Sequence, residues 1–200
     1  MRVKSYSLNV SKKMSDYEAF DLKAYRTLVQ NGPCFICNII EGQDTTHHIA
    51  YKDDVAIVFL NKYPTLYGYL LVAPVEHREQ VTGDFSLDEY LELEKVVYYV
   101  AEALRQELSA ERIYILSLGS QQGNSHVHWH IAALPPGVPY DEQQFAALST
   151  FVTVSDTVDA AGKQIVTAEN RGYLKIPQGE LNSLAARLGA RITALKESHS

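Results

Sequence analysis

Apolar residues recur at close to the helical period through residues 87–108, at Leu91, Leu93, Val96, Val97, Val100, Ala101 and Leu104. The preceding Ser86-Leu87-Asp88-Glu89 has the form of a capping box, so the pattern predicts a long helix with a defined start. Ser15-Asp16-Tyr17-Glu18 has the same form, and Phe20, Leu22, Ala24, Tyr25 and Leu28 follow it, predicting a first helix that Asn31-Gly32-Pro33 stops. Short apolar runs at 49–51 and 55–60 flank the Asp53-Asp54 turn and read as strands, as does the run at 69–73 after a loop over 61–68. Residues 112–118 and 125–133 read as paired strands joined by a connector over 119–124, and Pro135-Pro136-Gly137 then breaks the pattern. The tail predicts a short helix over 141–148, ambiguous strand-like pieces, and a last helix over 178–196. Hairpins and helices mixed without βαβ alternation predict an α+β fold: an antiparallel β-sheet with packed helices and a C-terminal helical extension.

The chain has 200 residues, 46% hydrophobic and 21% charged, which is the range of a packed globular chain and excludes a disordered one. The apolar run at 55–60 is far short of the ~20 residues a membrane-spanning helix needs, and residues 1–20 show no signal-peptide core. The expectation is therefore a cytoplasmic protein without membrane attachment. A net charge of −6 argues against broad nucleic-acid binding, which needs a large cationic face. The only two cysteines, Cys34 and Cys37, form one C-x-x-C, which in a cytosolic chain means a metal site or a redox pair.

The densest chemistry lies at His126-Val127-His128-Trp129-His130. In a strand, alternate side chains share a face, so the three imidazoles would point one way at ~6–7 Å intervals while Val127, Trp129 and Ile131 enter the core. Chance clustering on a solvated face is the bland reading. Two functional readings compete with it: a three-His metal centre that activates water, and a nucleophilic imidazole whose neighbours stabilise a phosphate.

The order of motifs favours the phosphate reading. Cys34-x-x-Cys37, Asn61-Lys62-Tyr63-Pro64, the G-x-x-L-V-x-P-x-x-H segment from Gly68 to His77 and the H-φ-H-φ-H-φ-φ segment from His126 resemble the histidine-triad (HIT) family over about half of the chain. The resemblance implies a HIT-like fold, with residues 1–135 as the nucleotide-binding core and residues 136–200 as a C-terminal extension packed on it. It implies that His128 is the nucleophile toward the α-phosphorus of a nucleotide, forming a covalent nucleotidyl-histidine. His130 would contact the phosphate and could protonate the leaving group. Gln122, Asn124 and Ser125 would add polar contacts to phosphate, Asn61 would bond the ribose hydroxyls, and Ile36, Ile39 and Phe59 would form an apolar base pocket.

In zinc-containing members of that family a C-x-x-C, the histidine of the P-x-x-H strand and the first triad histidine bind the metal. The equivalent residues are Cys34, Cys37, His77 and His126, a closed and structural zinc site. The implied substrates are dinucleoside polyphosphates or nucleoside phosphoramidates, and the implied assembly is a homodimer. A non-catalytic nucleotide-binding module is the alternative. Tyr69 departs from the pattern, standing where many relatives have a fourth histidine, and residues 136–200 have no alignable counterpart. The His47-His48 pair reads as solvated loop surface.

Overall fold

A computed structural model describes residues 16–119 and 125–199. The first elements are a two-residue strand β1 (Tyr17–Glu18), helix α1 (Leu22–Asn31) and a short helix α2 (Phe35–Ile40). Strands β2 (Ile49–Lys52), β3 (Ala56–Leu60) and β4 (Leu70–Pro74) follow, then helix α3 (Leu87–Leu108) and strands β5 (Arg112–Leu116) and β6 (Trp129–Leu134). Beyond them come helix α4 (Phe145–Leu148), a hairpin of β7 (Phe151–Val158) and β8 (Gln164–Asn170), strand β9 (Tyr173–Leu174) and helix α5 (Gln178–Ser198).

One antiparallel sheet, ordered β2-β3-β4-β6-β5, carries the molecule. Strands β3 and β4 are buried along their whole length because both of their faces are covered. Val58, Leu70, Val72, Trp129 and Ile131 meet Leu93, Val97 and Leu104 of α3 and Leu184, Leu188 and Ile192 of α5. Ile57, Phe59, Leu71 and Ala73 face the other way, onto Ile36 and Ile39 of α2. This two-sided burial explains the unbroken apolar run at 55–60, which would alternate if one face were wet. Helix α3 begins with the anticipated capping box: the Glu89 N–H donates to Ser86 Oγ, and the Ser86 N–H donates to the Glu89 carboxylate.

The first helix starts later than its sequence signal suggested. Asp21 is the N-cap of α1, its carboxylate accepting from the Ala24 N–H at 2.9 Å. Tyr17 and Glu18 instead pair with Leu174 and Tyr173 of β9, so their backbone groups are spent on a ladder and cannot open a helix. Ser15 lies outside the described residues. The strand signal at 125–133 also shifts, since β6 begins only at Trp129, after His126 and His128.

Helix α5 docks across the sheet against α3 and β2. Arg187 and Arg191 both pair with Glu107, and Lys196 pairs with Asp53. Contact with β2 is so close that a Cβ on Gly189 would overlap the carbonyl oxygen of Ala50. Among the described residues no helix is long and apolar enough to cross a membrane.

The close approach sets a sign that can be tested. Alanine in a helix interior normally gains about 1 kcal/mol over glycine, but Gly189→Ala must push α5 off β2 and should lose about 1–3 kcal/mol. Gly179→Ala, in the same helix with open space around it, should lose nothing. Urea unfolding of both variants checks this, and a Gly189→Ala protein at least as stable as wild type would contradict it.

Candidate active site and metal centre

Helix α2 opens inside the C-x-x-C. Cys34 is its N-cap and Cys37 lies in its first turn, which brings both thiols to one end of the helix. His77 follows β4 and His126 precedes β6, and these strands are neighbours in the sheet. One donor atom from each of Cys34, Cys37, His77 and His126 lies within 4.8 Å of the others. Cys37 Sγ is 3.3 Å from His77 Nδ1 and 3.6 Å from His126 Nδ1, and Cys34 Sγ is 3.5 Å from His126 Nδ1. A tetrahedron with ordinary zinc–sulfur and zinc–nitrogen bonds has S···N edges of about 3.6 Å. The donor set therefore fits zinc, with every position filled by protein.

The groups behind the donors fit as well. The fully buried His126 donates through Nε2 to the carbonyl of Pro74 at 3.0 Å, leaving the Nδ1 lone pair toward the sulfurs. His77 Nε2 lies 3.3 Å from Glu79 Oε1, a carboxylate placed to orient a metal-bound imidazole. Ser125 donates to that same carboxylate at 2.9 Å.

The three imidazoles do not form the single row that strand periodicity suggested. Before Trp129 the chain is outside the ladder, held by the Val127 N–H donating to the Arg78 carbonyl. His126 turns to the cysteines, while His128 and His130 stay together with ring centroids 4.8 Å apart. A three-His metal centre is thereby excluded as an arrangement, since its first ligand is committed elsewhere. Val127, Trp129 and Ile131 are buried in the core, as expected.

His128 and His130 open into a cavity of about 520 Å³. The Nδ1 of His128 is 2.8 Å from the carbonyl oxygen of His126. A carbonyl only accepts, so Nδ1 carries the proton and Nε2 keeps the lone pair. The Nδ1 of His130 is 3.1 Å from the Tyr69 hydroxyl. Burial lowers the pKa of His128, and burial, followed by the neighbouring His128, lowers that of His130 to about 3. Both rings are neutral at physiological pH.

Asn61 lines the cavity, and its Oδ1 accepts from the Tyr63 N–H at 2.8 Å, so it both turns the loop and presents its amide nitrogen. Ser125 lines the cavity too. Ile36, Ile39 and Phe59 do not line it: they are buried behind the wall, facing the sheet. A helix repeats every 3.6 residues, so Phe35 and Asn38 take the cavity face of α2 when Ile36 and Ile39 take the core face. Gln122 and Asn124 lie outside the described residues.

The His47-His48 pair is not solvated surface. His47 is stacked on Phe35 with ring centroids 5.9 Å apart and meets the Phe59 ring edge-on, and it forms part of the cavity wall. Its Nδ1 lies 3.1 Å from Asp44, and burial lowers its pKa. His48 makes side-chain hydrogen bonds to Asn182 and Gln178, tying the loop to α5. The Asp44 carboxylate three residues before His47 was the one local hint of a held ring.

Comparison with known proteins agrees with this geometry. The HIT domain family model matches residues 43–136. An uncharacterised HIT-like protein of Saccharolobus solfataricus is 36% identical over 101 residues, covering 49% of this chain and 71% of that protein. The chain belongs to the HIT family. The fold agrees with a hypothetical histidine triad nucleotide-binding protein from Sulfolobus tokodaii (TM-score 0.58, 22% identity, 82% of this chain and 94% of that one). It also agrees with a zinc-bound histidine triad family protein from Mycobacterium smegmatis (TM-score 0.57, 20% identity, 82% of this chain and 96% of that one).

The buried His130 has a consequence for this HIT protein's stability. An unfolded histidine takes up a proton near pH 6.5, whereas folded His130 does so only near 3. Its stabilising contribution is thus complete above 6.5 and is lost as pH falls toward 3, at up to about 1.4 kcal/mol per pH unit. Urea unfolding at pH 7 and pH 5 should show a smaller acid loss in His130→Asn than in wild type. Equal losses would contradict the shift.

Proposed function

We propose that this chain is a nucleotide hydrolase or nucleotidyltransferase that works through a covalent nucleotidyl-His128 intermediate. One observation carries the reading: His128 Nδ1 is bonded to the His126 carbonyl, which leaves a neutral Nε2 lone pair in the cavity beside His130. In this account that lone pair attacks the α-phosphorus, a P–N bond forms, and the bond from phosphorus to the leaving group breaks with its electron pair departing on the leaving group. Water or another acceptor then attacks the same phosphorus, the P–N bond breaks, and His128 recovers its lone pair.

The other groups take supporting roles. His130 Nε2 and Ser125, with Gln122 and Asn124 by family resemblance, hold phosphate oxygens. The Asn61 amide donates to the ribose, and the base rests against Phe35 and His47. Zinc, when bound by Cys34, Cys37, His77 and His126, supplies structure and no open coordination position. A likeness in fold to a histidine triad nucleotide-binding protein and to a zinc-bound histidine triad family protein supports both parts of this reading.

The neutral state of His130 bears on the leaving group. A neutral imidazole donates a hydrogen bond but is a poor acid, so of its two expected roles the phosphate contact is favoured over protonation. A phosphate departs as a stable anion, whereas an amine needs a proton. We therefore favour a phosphoric anhydride, as in a dinucleoside polyphosphate, over a phosphoramidate. The functional unit in this reading is a homodimer, since β5 is an edge strand with Ile115 and the following Leu118 exposed.

The test is to mix the protein with diadenosine triphosphate and with an adenosine phosphoramidate, quench in alkali and weigh the intact chain. One nucleotidyl adduct is expected on wild type and none on His128→Ala, with turnover falling by about 10³-fold or more. Undiminished turnover in His128→Ala would overturn the mechanism, and tight binding without product over hours would assign a non-catalytic binding module.

A further inference from the structure

Tyr69 sits immediately before β4 and is 6% exposed, with its ring among Leu66, Ala132, Leu134 and Ala147. Its backbone is held on both sides, the amide donating to the Leu66 carbonyl and the carbonyl accepting from Asn61. The hydroxyl therefore has a fixed place. Among the described residues its one hydrogen-bond partner is His130 Nδ1, at 3.1 Å.

That contact has two possible polarities, and counting protons separates them. If His130 Nδ1 carried the hydrogen, it would donate to the phenol oxygen, and the phenol hydrogen would have no acceptor among the described residues. Leaving a buried donor unpaired carries the full cost of stripping it of water. If the phenol donates, its hydrogen is satisfied and Nδ1 supplies the lone pair. Burial supports the second case by pushing the Tyr69 pKa to about 12, which keeps its proton in place. The neutral ring's single proton must then sit on Nε2, the nitrogen free of protein partners among the described residues.

We propose that Tyr69 is a positioning residue that locks His130 in the Nε2–H tautomer, opposite to the tautomer of its neighbour His128. The two adjacent rings then offer complementary groups to the same cavity. His128 presents a lone pair because the His126 carbonyl takes its Nδ1 proton. His130 presents an N–H because the Tyr69 hydroxyl fills its Nδ1 lone pair. A phosphoryl group placed between them meets a nucleophile aimed at phosphorus and a donor aimed at an oxygen. With the tautomer reversed, His130 would face that oxygen with a lone pair and repel it. The catalytic value of the lock rests on the nucleotidyl-transfer reading above, but the tautomer itself does not.

The experiment uses the 200-residue chain, zinc-loaded and labelled with ¹⁵N-histidine. Long-range proton–nitrogen correlation spectra report which ring nitrogen bears hydrogen, and His130→Asn assigns the His130 signals by their loss. Wild type is expected to show His130 as Nε2–H and His128 as Nδ1–H. In Tyr69→Phe, which removes one oxygen, the His130 signals should move toward the Nδ1–H form or an average of both, while the His128 tautomer stays. In turnover of diadenosine triphosphate the same variant should lose about 3- to 10-fold in kcat with KM within about twofold. A wild-type His130 found as Nδ1–H overturns the proposal, even if Tyr69→Phe fails to fold. A variant that keeps the wild-type His130 tautomer overturns it as well. If no nucleotide conjugate is turned over, the nucleotidyl-transfer reading fails while the spectra still decide the tautomer.

Discussion

Two thiols and two imidazoles from three distant stretches of chain converge within 4.8 Å, and the rest of the site follows from that convergence. Helix α2 has only six residues, too few to be stable alone. Its position comes from the thiols at its start and from Ile36 and Ile39 against the sheet. Once α2 is placed, Phe35 and Asn38 become cavity wall. Drawing His126 into the cluster takes one imidazole out of the row and turns its carbonyl toward His128 Nδ1. A metal site that performs no chemistry thus sets the tautomer of His128, the ring we propose as the nucleophile.

Segments outside the matched HIT stretch complete the cavity. Helix α1 lines one side with Tyr25, Leu28 and Val29. It is held there by the chain's far end: β1 pairs with β9, and the Asn170 side chain exchanges hydrogen bonds with both the N–H and the carbonyl of Phe20. The rings of Phe20, Tyr25, Tyr63 and Tyr173 meet edge to face, joining α1, the Asn61 loop and β9. Gly172 is required at this junction, with φ of +79° and no room for a Cβ beside the Glu18 carbonyl. The C-terminal region therefore shapes the cavity indirectly, by fixing the wall opposite the histidines.

What could be read in the sequence was what local physics decides. The long helix announced itself by period and capping box, and the strands at 55–60 and 69–73 by their apolar runs. The zinc ligands were readable only because the spacing of Cys34, Cys37, His77 and His126 matches a known pattern. What escaped was decided by tertiary contact. Alternation predicted one face for three histidines, but metal geometry outweighs strand period where the ladder has not begun. His47 looked like loop surface because its burial comes from Phe35 and Phe59, twelve residues before and after it. Tyr69 was visible as a missing histidine, yet the hydroxyl that reaches His130 is a matter of coordinates.

X-ray absorption at the zinc edge tests the central constraint most directly. The account predicts one zinc per chain with two sulfur ligands near 2.3 Å and two nitrogen ligands near 2.0 Å, and loss of one sulfur in Cys37→Ser. A site with an oxygen ligand or an open position, or a purified chain that takes up no zinc, would contradict the claim that a closed metal cluster sets the histidines.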